Sequence, residues 1–178
     1  MKKLLVTLLA LLVSTSAIAG VDLKFTPGVA MPHKLTEAYG FEYDDVSPSF
    51  DFEGNYIFDN GFALGADVFF APGGWKVGKF DGDVNMVGVT FGPKYFYKVE
   101  KLRLFAGVGF GYYNTQIDAF GRSYDEDSWG VNGSVGFDYN VWKSMTLGLK
   151  STVHYVRDGG FDDDYVVVAV GPTFGLTF

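Results

Sequence analysis

Past residue 20 the chain alternates. Leu23, Phe25 and Val29 stand between Lys24, Thr26 and Gly28. Phe50, Phe52, Tyr56 and Phe58 alternate with Asp51, Glu53 and Asn55, and Phe62, Leu64, Ala66, Val68 and Phe70 leave Asp67 on the other side. Val87, Val89, Phe91, Tyr95 and Tyr97 face away from Thr90 and Lys94; Leu102 to Tyr112 sets apolar residues against Arg103 and a line of glycines. Trp129 to Tyr139 opposes Ser128, Asn132, Ser134 and Asp138, Met145 to Tyr155 opposes Thr146, Lys150, Thr152 and His154, and Val166 to Phe178 opposes Thr173 and Thr177. A period of two over such lengths predicts strands with one apolar face. There are eight of them, an even number, and each reaches the roughly 9–11 residues that a tilted strand needs to cross a bilayer.

The connections sort by length. Asp59-Asn60-Gly61, Lys98 to Lys101 and Asn140 to Ser144 are short, whereas those near 32–48, 72–83, 114–127 and 157–164 are longer. Long and short alternate strictly, so all short turns fall at one end of an up-and-down sheet and all long loops at the other, the arrangement of outer-membrane barrels. The apolar face then decides the class. A soluble eight-stranded barrel turns that face inward around a ligand, and a secreted ligand-binding barrel is the alternative to weigh. Here the apolar face is largely aromatic and too bulky for so narrow an interior, while the other face is Gly, Ser, Thr, Asn and charge. The aromatic face is therefore expected to meet lipid, giving an all-β, eight-stranded antiparallel transmembrane up-and-down β-barrel. Tyr56, Phe58, Phe62, Tyr95, Tyr97, Tyr139 and Phe178 are expected to form one interfacial girdle and Phe50, Phe70, Tyr112, Trp129 and Tyr155 the other. Phe69, Phe96, Phe105 and Tyr113 break the pattern by falling on the inward side.

Residues 1–19 read differently. Lys2 and Lys3 precede an apolar run from Leu4 to Val13, and Ala17-Ile18-Ala19 fits a small-residue cleavage site, so 1–19 reads as a secretory signal peptide and 20–178 as the barrel domain. The run covers only about 15 Å as a helix, half of a hydrocarbon core. The chain has no Cys, which excludes disulfides and thiolate metal sites. Its formal charge is −7, which argues against nucleic acid as a partner.

Three stretches carry a family likeness: Gly92-Pro93-Lys94-Tyr95-Phe96-Tyr97, Leu104 to Tyr112, and the ending Gly171-Pro172-Thr173-Phe174-Gly175-Leu176-Thr177-Phe178. With the signal peptide and the sorted loops, the chain resembles the outer-membrane β-barrel family of opacity-type and OmpX-like porin-family proteins. The resemblance implies a bacterial outer-membrane location after export, contact with outer-membrane lipid and lipopolysaccharide, and a terminal signal (Phe174, Leu176, Phe178) read by the barrel-assembly machinery. Neither a cofactor nor a reaction is implied.

Candidate chemistry lies in two places. Lys24, Lys94, Arg103 and Lys150 face inward with Asp51, Glu53, Asp67 and Asp138, four against four, and are expected to form a paired network in a largely filled lumen. The competing reading is a narrow channel or carrier for ions or hydrophobic solutes. The long loops hold fourteen acids against five bases. Among them Asp125-Glu126-Asp127 and Asp162-Asp163-Asp164 are weak candidates for divalent cations, since carboxylates suit hard ions but the EF-hand spacing is missing. The acidic loops are also the expected contact surface for a partner. His154 lies on the seventh strand with Val156 where a His-x-Ser lipid A deacylase needs its nucleophile, so no enzyme is expected. The role read from the sequence is structural or surface interaction, envelope integrity or adhesion, by a monomer.

Overall fold

A computed structural model describes residues 18–34, 42–43, 46–77, 80–119, 122–157 and 164–178. Their eight long strands are β1 (Ile18–Lys34), β2 (Ser47–Phe58), β3 (Phe62–Val77), β4 (Phe80–Val99), β5 (Leu102–Ala119), β6 (Arg122–Trp142), β7 (Met145–Arg157) and β8 (Tyr165–Thr177). Each pairs antiparallel with its chain neighbours, and β1 also pairs with β8 from Asp22↔Thr177 to Lys34↔Tyr165, which closes the sheet. A two-residue strand, Glu42–Tyr43, adds to the far end of β3. Closure removes the free edges that an open sheet would expose, so every backbone donor and acceptor in the wall has a partner strand, as lipid requires. β1 begins at Ile18, which takes in the last two residues ahead of the expected cleavage point; residues 1–17 lie outside the described residues.

Alternation sends the two faces where the pattern predicts. Phe91, Val108, Phe110, Trp129 and Val135 are each 58–60% exposed, while Asp22, Asp138, Tyr113 and His154 on the opposite face are at 0%. A surface this apolar is sustained only against hydrocarbon; a soluble barrel has the reverse arrangement. On the outside, Phe110 stacks on Trp129 with centroids 5.4 Å apart, and Phe25 on Phe52 at 4.8 Å. One girdle residue departs from expectation. Phe58 is buried, covered by the edge of Tyr56 and the ring of Phe62.

The long connections need a correction. Residues 72–77, 80–83, 114–119 and 122–127 are strand rather than loop: their ladders run on to Val77↔Phe80 and Ala119↔Arg122, making strands of 16, 20, 18 and 21 residues. The apolar alternation stops at the edge of the lipid because a hairpin standing in water needs no greasy face. The backbone ladder does not stop there. Cross-strand polar pairs help hold it, such as Asn114 Nδ2 donating to Asp127 at 2.9 Å and Ser123 Oγ to Asp118 at 2.5 Å. At the opposite end the turns are tight. Gly61 takes φ +82°, and the Gly61 amide donates to Phe58 O at 2.9 Å.

Candidate functional site

The inward side chains of a barrel point at one another across the axis, so residues far apart in sequence meet there. They stack in tiers. Nearest the short turns, β1 supplies Asp22 and Lys24, β5 supplies Arg103, and β6 supplies Asp138. Arg103 Nη2 lies 2.8 Å from Asp138 and 2.9 Å from Asp22, and Lys24 Nζ lies 2.7 Å from Asp138. Hydroxyls complete the carboxylates: Thr173 Oγ1 donates to Asp138 at 3.2 Å and Thr177 Oγ1 to Asp22 at 2.8 Å. Two of the inward aromatics explain themselves here. Lys24 Nζ sits 3.8 Å from the centroid of Phe105, and the Arg103 guanidinium carbon 4.8 Å from that of Phe96. Buried cations gain from a ring face what water no longer supplies.

The next tier draws Asp51 and Glu53 from β2, Asp67 from β3, Lys94 from β4 and Lys150 from β7. Lys150 Nζ lies 2.5 Å from Glu53, 2.9 Å from Asp67 and 3.1 Å from Asp51. Lys94 Nζ reaches Glu53 at 2.9 Å and Asp67 at 3.1 Å. Asn55 Nδ2 donates to Glu53 at 2.5 Å. Asp51, Glu53 and Asp67 bring carboxylate oxygens within 4.8 Å of one another. That donor set suits a hard cation, and the Lys150 ammonium bonds to all three.

Above them lies an apolar tier of Phe69, Tyr113, Val156, Val167, Ala30 and Ala169. His154 stacks on Phe69 with centroids 4.2 Å apart, and its Nδ1 lies 2.9 Å from the Tyr113 hydroxyl. Tyr113 fits because its neighbours are glycines. A Cβ on Gly88 would stand 2.6 Å from the ring, and one on Gly130 2.8 Å. His154 and Val156 share the inward face, both at 0% exposure.

The eight charged residues singled out from sequence thus come together as two buried groups, joined by one that sequence reading passed over. Asp22 sits two positions before Lys24 and so shares its inward face; a strand bounded by its apolar residues begins at Leu23 and leaves it out. The acidic runs are placed differently. Asp125-Glu126-Asp127 lies in the extended β6, where alternation turns Glu126 away from its two neighbours, so the three do not converge. Asp127 accepts hydrogen bonds from the hydroxyl of Tyr112 and from Asn114, which hold its carboxyl below the usual range. Asp164 accepts from the Tyr155 hydroxyl, and Asp162 and Asp163 lie outside the described residues. Phe174, Leu176 and Phe178 project outward from the last strand, 50%, 45% and 71% exposed.

A closed antiparallel barrel of eight long strands, greasy outside and charged within, defines a membrane-spanning protein of the bacterial outer-membrane type. The model of the outer membrane protein β-barrel domain matches residues 5–176, and the chain belongs to that family. Solved structures share the fold at low identity. Neisserial surface protein A has a TM-score of 0.67 at 13% identity, with 91% of this chain and 99% of that one aligned. Ail, the attachment invasion locus protein of Yersinia pestis, crystallised in complex with the heparin analogue sucrose octasulfate, has a TM-score of 0.59 at 18% identity over 88% and 99% of the two chains. OprG of Pseudomonas aeruginosa has a TM-score of 0.59 at 16% identity over 92% and 98%. A search of curated proteins finds no significant match.

Proposed function

We propose that this protein is a non-enzymatic, monomeric envelope barrel whose lumen is closed to solutes and whose work is done by the hairpins that stand above the membrane. One observation carries the reading: across the interior, Tyr113, Phe69, Lys150, His154, Val156 and Val167 are each below 2% exposed. Packing of that kind among the described residues supports a lumen without a continuous aqueous path. The long β3–β4 and β5–β6 hairpins carry acids and the exposed Tyr124, chemistry suited to a basic or polar surface partner. The reading includes export through a signal peptide ending at Ala19, outer-membrane lipid and lipopolysaccharide around the wall, and recognition of the Phe174, Leu176 and Phe178 face by the assembly machinery.

Planar-bilayer recording at neutral pH tests the closed lumen. The expected record is flat, and stable steps of large conductance overturn the reading in favour of a channel. Cutting back the β5–β6 hairpin beyond Asn114 and Asp127 is expected to leave heat-modifiable folding intact and to abolish cell-surface attachment. Unchanged attachment removes the hairpins from the role.

A further inference from the structure

The buried charges do not balance. Asp22 and Asp138 meet Lys24 and Arg103, two against two. Among the described residues, Asp51, Glu53 and Asp67 form ion pairs with Lys94 and Lys150 alone, three against two. Within that second group the shortage falls on one residue. Glu53 and Asp67 each touch both ammonium groups, whereas Asp51 touches Lys150 alone and shares it with the other two. Asp51 is 6% exposed, and an uncompensated carboxylate at that depth is costly.

A second, independent feature lies beside it. Asp51, Thr26, Ser49, Thr152 and Lys150 line a cavity of about 10 Å³, room for one water-sized occupant. Thr26 is 6% exposed, and its Oγ1 has no hydrogen-bond partner. A buried hydroxyl left open next to a carboxylate short of positive charge marks a place for something that supplies both contacts.

We propose that the barrel interior binds one further monovalent cation at Asp51: a proton on the carboxylate, or a small alkali-metal ion seated in the cavity among the oxygens of Asp51, Thr26, Ser49 and Thr152. Either brings the second group to neutrality. Hydroxyl and carboxylate oxygens are hard ligands, and the cavity is too small for an organic cation. Among the described residues, the charged and titratable groups that interact with Asp51 are Glu53 on its own strand, Asp67 from β3, Tyr113 from β5 and Lys150 from β7; Lys94 from β4, Lys24 from β1 and His154 from β7 act on those partners. The proposal does not depend on what the hairpins touch or on whether the barrel conducts.

The test folds the mature full chain separately in detergent with sodium chloride or with tetramethylammonium chloride at equal ionic strength, between about pH 5 and pH 8. The thermal midpoint is read by heat-modifiable gel mobility. An alkali ion at the site raises the midpoint in sodium over tetramethylammonium. A proton bound in the folded but not the unfolded chain makes the midpoint rise as pH falls, with the two salts alike, and adds the infrared carbonyl stretch of a protonated carboxyl group. Asp51→Asn is expected to abolish whichever dependence the wild type shows and to melt no lower than the wild type. A wild type indifferent to sodium whose midpoint does not rise toward acid overturns the proposal. So does a dependence that survives in Asp51→Asn. If that variant does not fold, Thr26→Val keeps every charge and must shift the dependence; an unaltered one overturns the site.

Discussion

The two charge groups are both buried clusters of acids and bases, yet they are different objects. In the lower group each charge has an opposite partner, the carboxylates also accept threonine hydroxyls, and the cations rest on Phe96 and Phe105. In the upper group one ammonium is divided among three carboxylates. Burial alone therefore says little about what a charge contributes; the count of partners decides. Removing one member of a matched pair strands a charge in a place without water. Removing a member that is already in excess relieves one.

Substitutions that change charge without changing shape test the contrast. Asp138→Asn carries the largest expected effect, because it leaves Lys24 and Arg103 with Asp22 alone. Loss of one partner from a buried pair costs about 3–5 kcal/mol, read as a lower urea midpoint of barrels folded into lipid vesicles. A variant as stable as the wild type would dissolve the distinction between the groups. Glu53→Gln comes next. It leaves the upper group numerically even but withdraws the contacts at 2.5 and 2.9 Å to Lys150 and Lys94. The expected loss is about 1–3 kcal/mol, the range for charged hydrogen bonds. Asp51→Asn removes the same formal charge from the same strand and is expected to leave stability unchanged or to raise it. If Glu53→Gln and Asp51→Asn prove equal, the partner count is not what matters.

Much of this was legible in the sequence. Strict alternation fixed which face each of Lys24, Asp51, Glu53, Asp67, Lys94, Arg103, Asp138 and Lys150 takes, since in a strand direction follows from parity. Closure fixed that they meet. Two things were not legible. The apolar pattern marks the lipid slab and falls silent beyond it, so the hairpin extensions at 72–83 and 114–127 looked like loops. Asp22 escaped because a strand boundary drawn from apolar residues starts at the first of them, and its omission hid the unequal count. Which carboxylate is short of a partner depends on distances across the axis, and these follow from register and tilt rather than from any local signal.

A carboxylate outside the membrane gives the comparison its baseline. Asp127 stands on the exposed part of β6 and owes its lowered pKa first to the Tyr112 hydroxyl and then to Asn114, with slight desolvation opposing them. Both donors favour the ionised form, so the folded chain holds the Asp127 proton less tightly than the unfolded chain does. The linked stability is present above the ordinary carboxylate value of about 3.9 and is lost as pH falls through the lower folded value. Water and salt screen an exposed group, so the effect on the melting point is the smallest of the four. It is measured better on the group itself. In a nuclear magnetic resonance titration in detergent, the Asp127 carboxyl is expected to titrate below the usual range in the wild type and to move up toward it in Tyr112→Phe. A midpoint that ignores Tyr112 would mean that the hydroxyl contributes nothing there, and that a solvated acid on this barrel answers to water alone.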